Sequence, residues 1–356
     1  MSATSVLTAP QRTAISRLLE GSHTPDNRLA LLLFWCDLLW YALCLGAALL
    51  APWPVQLLAG VSSGLVALRL AAIAHDAGHQ SFTSSRRCNR FIGRIAFLPS
   101  LQPLATWEVA HNVIHHSWTS IRHKDYVWIP FSPSEYAALP AGRRLLERIY
   151  RSAPGQGLYY LVELWWKRVV LPSANWNQVR RPAQRFDIVL VASVALLWTG
   201  AAAVLATHLG RNIGWTLFCA AALPFLSACQ CLGWLLYVQH THPRTRFYSD
   251  RTEWEFFEAQ SANSTHIKFP PFLDRMLNGV LDHTAHHLDV RAPFYRLRGV
   301  QAQLDCLLNG RNVAVRWSWQ EFLHTTRVCK LFDYERGCWT GFDGLQAVSS
   351  DRRRCS

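Results

Sequence analysis

Four long apolar runs organise the chain. Residues 29–50 and 55–74 are each close to the 20 or so residues needed to cross a hydrocarbon layer, and only Ala51-Pro52-Trp53-Pro54 separates them. The pattern recurs at 186–206 and 214–238, joined by a short polar loop around Arg211. Two helical hairpins result, and both chain ends fall on the same side. The stretch 91–107 is also apolar, but Arg94, Pro99 and Pro103 interrupt it, which predicts a re-entrant or interfacial segment rather than a fifth crossing. At 159–170, Trp165-Trp166 stand beside Lys167-Arg168, the aromatic–basic mixture of a helix lying among lipid headgroups. The organisation expected is a polar N-terminal segment (1–28), a membrane domain (29–335) and a tail (336–356), with the polar stretch after residue 243 forming a cap.

Charge sharpens the topology. Only 17% of residues are charged, and the net charge of +13 comes from 36 basic residues, nearly all Arg. This is not a nucleic-acid profile. Of the 36, 34 lie in the N-terminal segment, the 75–185 loop and the region after 238, and one, Arg211, lies in the opposite loops. That asymmetry places the large loops and both termini in the cytoplasm, against an anionic inner leaflet. The Arg and Ala bias points to a bacterial inner membrane. No secretory leader is expected, because the first 28 residues lack an apolar region followed by a small-residue cleavage site. The ten cysteines form no C-x-x-C pair; Cys229 and Cys231 fall inside an apolar run, where Cys packs as a small hydrophobe. Neither a disulfide framework nor a cysteine metal site is expected. Two charges fall inside the spans: Asp37, about 12 Å into the first, and Arg69, about 8 Å from the end of the second. They either pair across the hairpin or leave Arg69 to snorkel alone.

The chemistry lies in the histidines. Eight of fifteen occupy three tight clusters: His75 and His79; His111, His115 and His116; His283, His286 and His287. The pairs 75/79, 111/115 and 283/287 are spaced i,i+4, which puts both rings on one helical face within reach of one metal. His240 and His242 follow the fourth run at once. In the topology above, all four places lie just outside the bilayer on one side, where they can converge. Eight or nine imidazoles exceed what one ion takes, so two metals are implied. Imidazole suits Zn, Cu, Fe and Ni alike. Zinc has no redox chemistry, and a zinc hydrolase needs only three protein ligands. A histidine-rich pair of ions beside apolar helices suits iron, O₂ and an unactivated C–H bond of a lipid chain, which offers no acid–base handle.

These clusters resemble the three histidine boxes of the membrane fatty acid desaturase family, H-x(3–4)-H, H-x(2–3)-H-H and (H/Q)-x(2–3)-H-H, in order. Val238-Gln239-His240-Thr241-His242-Pro243 is similar to the Q-H-T-H-P of Δ12 (omega-6) acyl-lipid desaturases, and Asp125-Tyr126-Val127-Trp128-Ile129-Pro130 is similar to the segment after their second box. One departure is that box two has three residues before its double histidine, where plant-type enzymes have two. The resemblance implies an all-α integral membrane fold: four transmembrane helices in two hairpins, interfacial helices, and a cytoplasmic helical cap holding a histidine-ligated di-iron site. It implies O₂ as co-substrate, a membrane lipid acyl chain as substrate and ferredoxin or cytochrome b5 as a separate electron donor. It implies iron ligation by His75, His79, His111, His115, His116, His283, His286 and His287. The ninth ligand is His240 or His242, with His240 preferred because omega-3 relatives keep a histidine at the first position only.

Asp76, Asp125 and Asp282 are candidates to accept from ligand imidazoles and fix ring orientation. His23, His123, His208, His266 and His324 are isolated and read as solvated or structural. Trp107, Trp118, Trp128, Trp165 and Trp166 read as interface markers or core residues, or else as walls of an acyl tunnel. Rival readings are a di-iron lipid or alkane hydroxylase and a carotenoid oxygenase. A metal transporter is a more distant one, since it would place ligands at mid-membrane within the spans.

Overall fold

The computed structural model describes residues 7–172 and 182–345. Its chain divides into two compact units: one of Thr24–Asn112 and Gly157–Trp234, the other of Met1–His23, Val113–Gln156 and Leu235–Ser356.

The first is the membrane unit. Its helices Asn27–Leu50, Trp53–Gly78 and Pro182–His208, with the continuous helical run Ile213–His240, are the four long enough and apolar enough to cross a bilayer. From Leu235 onward the last run is grouped with the other unit. Each helix is longer than its apolar run by a few residues, because caps rather than hydropathy set the boundaries. Asp26 accepts from the backbone N–H groups of Arg28 and Leu29 at 3.0 and 3.1 Å and starts the first span. Prolines at 52 and 54 allow the second to begin at once.

The second span is the most enclosed, whereas Leu196 and Leu197 on the third are each 72% exposed, as a lipid-facing surface requires. Close approach fixes the packing. A Cβ at Gly60 would meet the Cys219 carbonyl at 2.7 Å, and one at Gly64 would meet Ser227 Cβ at 2.4 Å, so this small-residue pair lets the fourth span lie against the second. At one end of the unit, Arg211 donates to the carbonyl oxygens of Leu49 and Ala51 at 2.8 and 3.1 Å, and to that of Leu50. Inside the hairpin, Arg69 bonds Asp37, so the paired alternative holds. The broken stretch after the second span forms short helices, Arg86–Phe97 and Leu104–Glu108, and Tyr160–Val170 is a π-helix with Trp166 49% exposed.

The second, polar unit has several small cores. Helix Ala9–Glu20 sets Ile15 and Leu19 against Ala285, Leu297, Leu304 and Leu308. The all-α expectation needs one amendment. Thr265–Lys268 pairs in parallel with Val313–Arg316, and Leu331–Asp333 pairs antiparallel with Cys338–Thr340. Three- and four-residue strands carry too little alternation to show in the pattern. The second strand of that hairpin falls at the start of the stretch read as a tail; residues 346–356 of that tail lie outside the described residues. The described cysteines are all free.

The tryptophans divide between the alternatives. Trp128 is fully buried in the polar unit, its ring 4.8 Å from Tyr237 and its carbonyl accepting from the buried Arg151 at 3.2 Å. It is a core residue there and marks no interface. Trp107 is buried in the membrane unit, where it stacks on a histidine.

Candidate metal centre

In the membrane unit the last turns of the second span carry His75, and His79 caps that helix. Their rings lie 4.6 Å apart, as i,i+4 spacing dictates. His111 joins them, its Nε2 3.0 Å from His75 Nε2, and one ligating nitrogen of each residue lies within 4.8 Å of the other two. Its placement depends on Trp107, which stacks on the His111 ring at 4.5 Å and 20°. Trp107 fits only because residue 78 is glycine: a Cβ there would come within 2.5 Å of the indole. Asn112 donates to the Gly78 carbonyl at 3.1 Å. Asp76 Oδ1 lies 3.0 Å from His75 Nδ1, which leaves Nε2 for a cation.

The polar unit holds the other six. His115, His240 and His287 bring ligating nitrogens within 4.8 Å of one another, and all three are buried. His283 Nε2 is 2.9 Å from His240 Nε2, and His286 Nε2 is 3.2 Å from His116 Nε2. The pair 111/115 therefore does not act as one grip, since His111 belongs to the first set and His115 to the second. Adjacent histidines (115 and 116, 286 and 287) likewise point apart, because successive helical residues are rotated by about 100°.

His242, the alternative to His240, turns away. Its Nε2 is 3.3 Å from Glu321 Oε1, and its Nδ1 accepts from the Arg244 N–H at 3.1 Å.

Asp125 Oδ1 sits 2.9 Å from His115 Nδ1, while Asp125 itself accepts from the N–H groups of Ser120 and Tyr126 at 2.8 and 2.7 Å. Asp282 departs from its expected place: its carboxylate meets His266 Nε2 at 3.3 Å, not a clustered imidazole. His266 also bonds Asp305 at 2.8 Å and is buried, so it is structural, as an isolated histidine is expected to be. His23 pairs with Asp289 at 2.8 Å, and His123 is exposed.

Gln260 is the group that sequence reading missed. Its Nε2 donates to the His116 carbonyl at 2.6 Å, which turns Oε1 towards His287 Nδ1, at 2.6 Å, and the Thr119 hydroxyl, at 3.0 Å. His287 must then carry its proton on Nδ1. Its Nε2 is buried without a hydrogen-bond partner, a lone pair aimed at His115 and His240. Burial, reinforced by the neighbouring His283, His116, His240 and His115, holds the His287 pKa well below the ordinary histidine value. A neutral, orphaned Nε2 among other imidazoles fits a metal ligand.

The chain is similar to known proteins over most of its length. The fatty acid desaturase family profile matches residues 51–319. The sn-1 oleoyl-lipid 12-desaturase of Picosynechococcus sp. is 26% identical over 294 residues, covering 82% of this chain and 81% of that one. The enzyme of the same name from Synechocystis sp. is 26% identical over 301 residues, with 83% and 81% covered. The chloroplastic omega-6 fatty acid desaturase of Glycine max is 26% identical over 298 residues, covering 83% of this chain and 67% of that one.

Proposed function

The chain belongs to the fatty acid desaturase family, and from that premise we propose that it inserts a cis double bond into a membrane lipid acyl chain, at the Δ12 (omega-6) position, using O₂ and two iron ions. The observation that carries the reading is the convergence of imidazole nitrogens: His75, His79 and His111 in one unit, and in the other His115, His240 and His287, with His283 beside His240 and His286 beside His116. The relatives' names support the substrate class and the position. Bound iron would supply the activation of O₂ and the removal of hydrogen from an unactivated methylene.

The protein's own groups do the rest. Asp76, Asp125 and Gln260 hold imidazole Nδ1 atoms and so present Nε2. The reaction balances as one saturated methylene pair, O₂, two electrons and two protons giving one double bond and two waters. The electrons would come from a carrier of the ferredoxin or cytochrome b5 kind, the donors that the family resemblance implies. The reacting methylenes offer no polar handle, so distance along the chain from its anchored end sets the position. The excess of basic residues in the large loops supports an inner-membrane protein with termini and metal site in the cytoplasm.

Expression of the full chain in a host lacking polyunsaturated lipids, followed by double-bond mapping, tests this directly. Products lighter by two hydrogens, with the bond at Δ12, are expected. Products heavier by one oxygen would instead identify a hydroxylase.

A further inference from the structure

Within the membrane unit, helix Arg86–Phe97 is fastened at both ends to the mouths of two spans. Before its start, Asn27, the first residue of the first span, donates to Ser84 Oγ at 2.8 Å and accepts from the Ser84 N–H at 2.9 Å. Near its end, Arg94 Nε donates to Asp187, in the second turn of the third span, at 2.7 Å. The inner face, Asn89, Ile92, Gly93, Ala96 and Phe97, is buried. The helix, about 18 Å long, packs against the second span and is tied near the starts of two others.

Its outer strip is Arg86, Arg87, Arg90 and Phe91, positions i, i+1, i+4 and i+5 of one face, all exposed. The neighbouring span ends add exposed Arg28, Arg185 and Phe186. None of these five arginine side chains has an ion-pair or hydrogen-bond partner among the described residues. The acids near them are already engaged: Asp26 caps the first span, Asp76 meets His75 and Asp187 holds Arg94. Four other basic side chains of the unit contrast with this, since Arg69, Arg94 and Lys167 pair with carboxylates and Arg211 caps carbonyls. Helix energetics do not explain the strip either, because positive charge in a first turn opposes the macrodipole. These exposed guanidinium groups are therefore free to meet a partner of opposite charge. Phe91 and Phe186, 59% and 57% exposed, set apolar rings among the guanidinium groups, which suits the boundary between headgroups and acyl chains and not open solvent.

We propose that this strip is a binding surface for anionic phospholipid headgroups, with phosphodiesters on the arginines and the two phenylalanines in the acyl layer. The proposal is independent of the reaction at the metal centre.

The test uses the full chain in bilayers of equal phosphatidylcholine and phosphatidylglycerol, extracted gently, with the retained lipids weighed by mass spectrometry. Each basic residue near an anionic surface attracts appreciably, so low salt should give about tenfold enrichment of phosphatidylglycerol over input. Raising the salt on the unaltered protein should collapse that enrichment. Joint replacement Arg86→Gln, Arg87→Gln and Arg90→Gln should bring retention to within about twofold of input, and the corresponding Lys variant should keep it, because charge at the surface is what acts. Retention in the input ratio by the unaltered protein, or enrichment that survives the Gln changes, would overturn the proposal. So would a Gln variant that keeps its lipids but loses affinity for a soluble acidic carrier protein, since the strip would then serve that partner. If the Gln variant does not insert, the salt series on the unaltered protein decides the matter alone.

Discussion

Arg69 directs both Nε and Nη2 at one carboxylate oxygen of Asp37, at 2.9 and 2.7 Å. The two residues come from the two helices of the first hairpin, and Asp37 is almost fully buried. A charge at this depth is tolerated because its partner is there.

Removing one partner should therefore cost more than removing both. Asp37→Ala is expected to destabilise the protein by about 3–5 kcal/mol, and the double change Asp37→Leu, Arg69→Leu by clearly less. Thermal unfolding in detergent, read as a double-mutant cycle, checks this. A double variant as unstable as the sum of the singles would show that the two do not act as a pair.

Gly78→Ala should displace Trp107 and with it the stacked His111. Bound iron per chain is expected to fall from about two towards one, while His115, His240 and His287 are untouched. Elemental analysis of the purified protein measures it, and full iron content would contradict the role given to the indole.

Gln260→Leu keeps the bulk but frees His287 to place its proton on Nε2. Losses of about 10- to 100-fold in metal affinity are expected. Competition with a chelator reads the change without reference to turnover.

His240→Ala and His242→Ala should behave differently. The first removes a member of the buried nitrogen set and should lose metal and activity; the second breaks a contact with Glu321 and should retain both. Iron content and product analysis on the two variants decide which is the ninth ligand.

The buried pair His266–Asp305 gives a pH signature. Burial by itself disfavours charge on His266, but hydrogen bonds to Asp282 and Asp305 outweigh it and raise the pKa. Burial likewise disfavours charge on Asp305, and His266, Lys268 and Asn312 together pull its pKa well below the usual carboxylate range. The raised group stabilises the fold below the ordinary histidine pKa and loses that contribution as pH climbs through its folded value. The depressed group contributes above the ordinary carboxylate pKa and loses it in acid. Unfolding midpoints across pH should form a plateau between those limits, and Asp305→Asn should flatten both shoulders. An unchanged profile in that variant would argue against the coupling.

The spans and the histidine clusters were legible because each obeys a local rule: a bilayer demands about 20 apolar residues in a row, and a helix turn brings i and i+4 together. Gln260 obeys none. It stands 27 residues from His287 and 144 from His116, and only the folded chain joins them. Gly78 matters for a ring 29 positions away, and nothing beside it announces that. Trp128 looked like an interface anchor because its neighbours are aromatic and apolar, yet its surroundings in the fold are Tyr237 and Arg151. Asp282, next to a clustered histidine in the chain, faces His266 because the backbone at 266 bridges to that at 282.

Arg211 closes the open end of the first membrane helix from a position 160 residues downstream of the carbonyl it reaches at Ala51. During synthesis the first hairpin must therefore wait, its terminal carbonyls without this partner, until the chain as far as residue 211 has been made. The second hairpin completes its predecessor as well as inserting itself, and the order of translation becomes part of how this protein assembles.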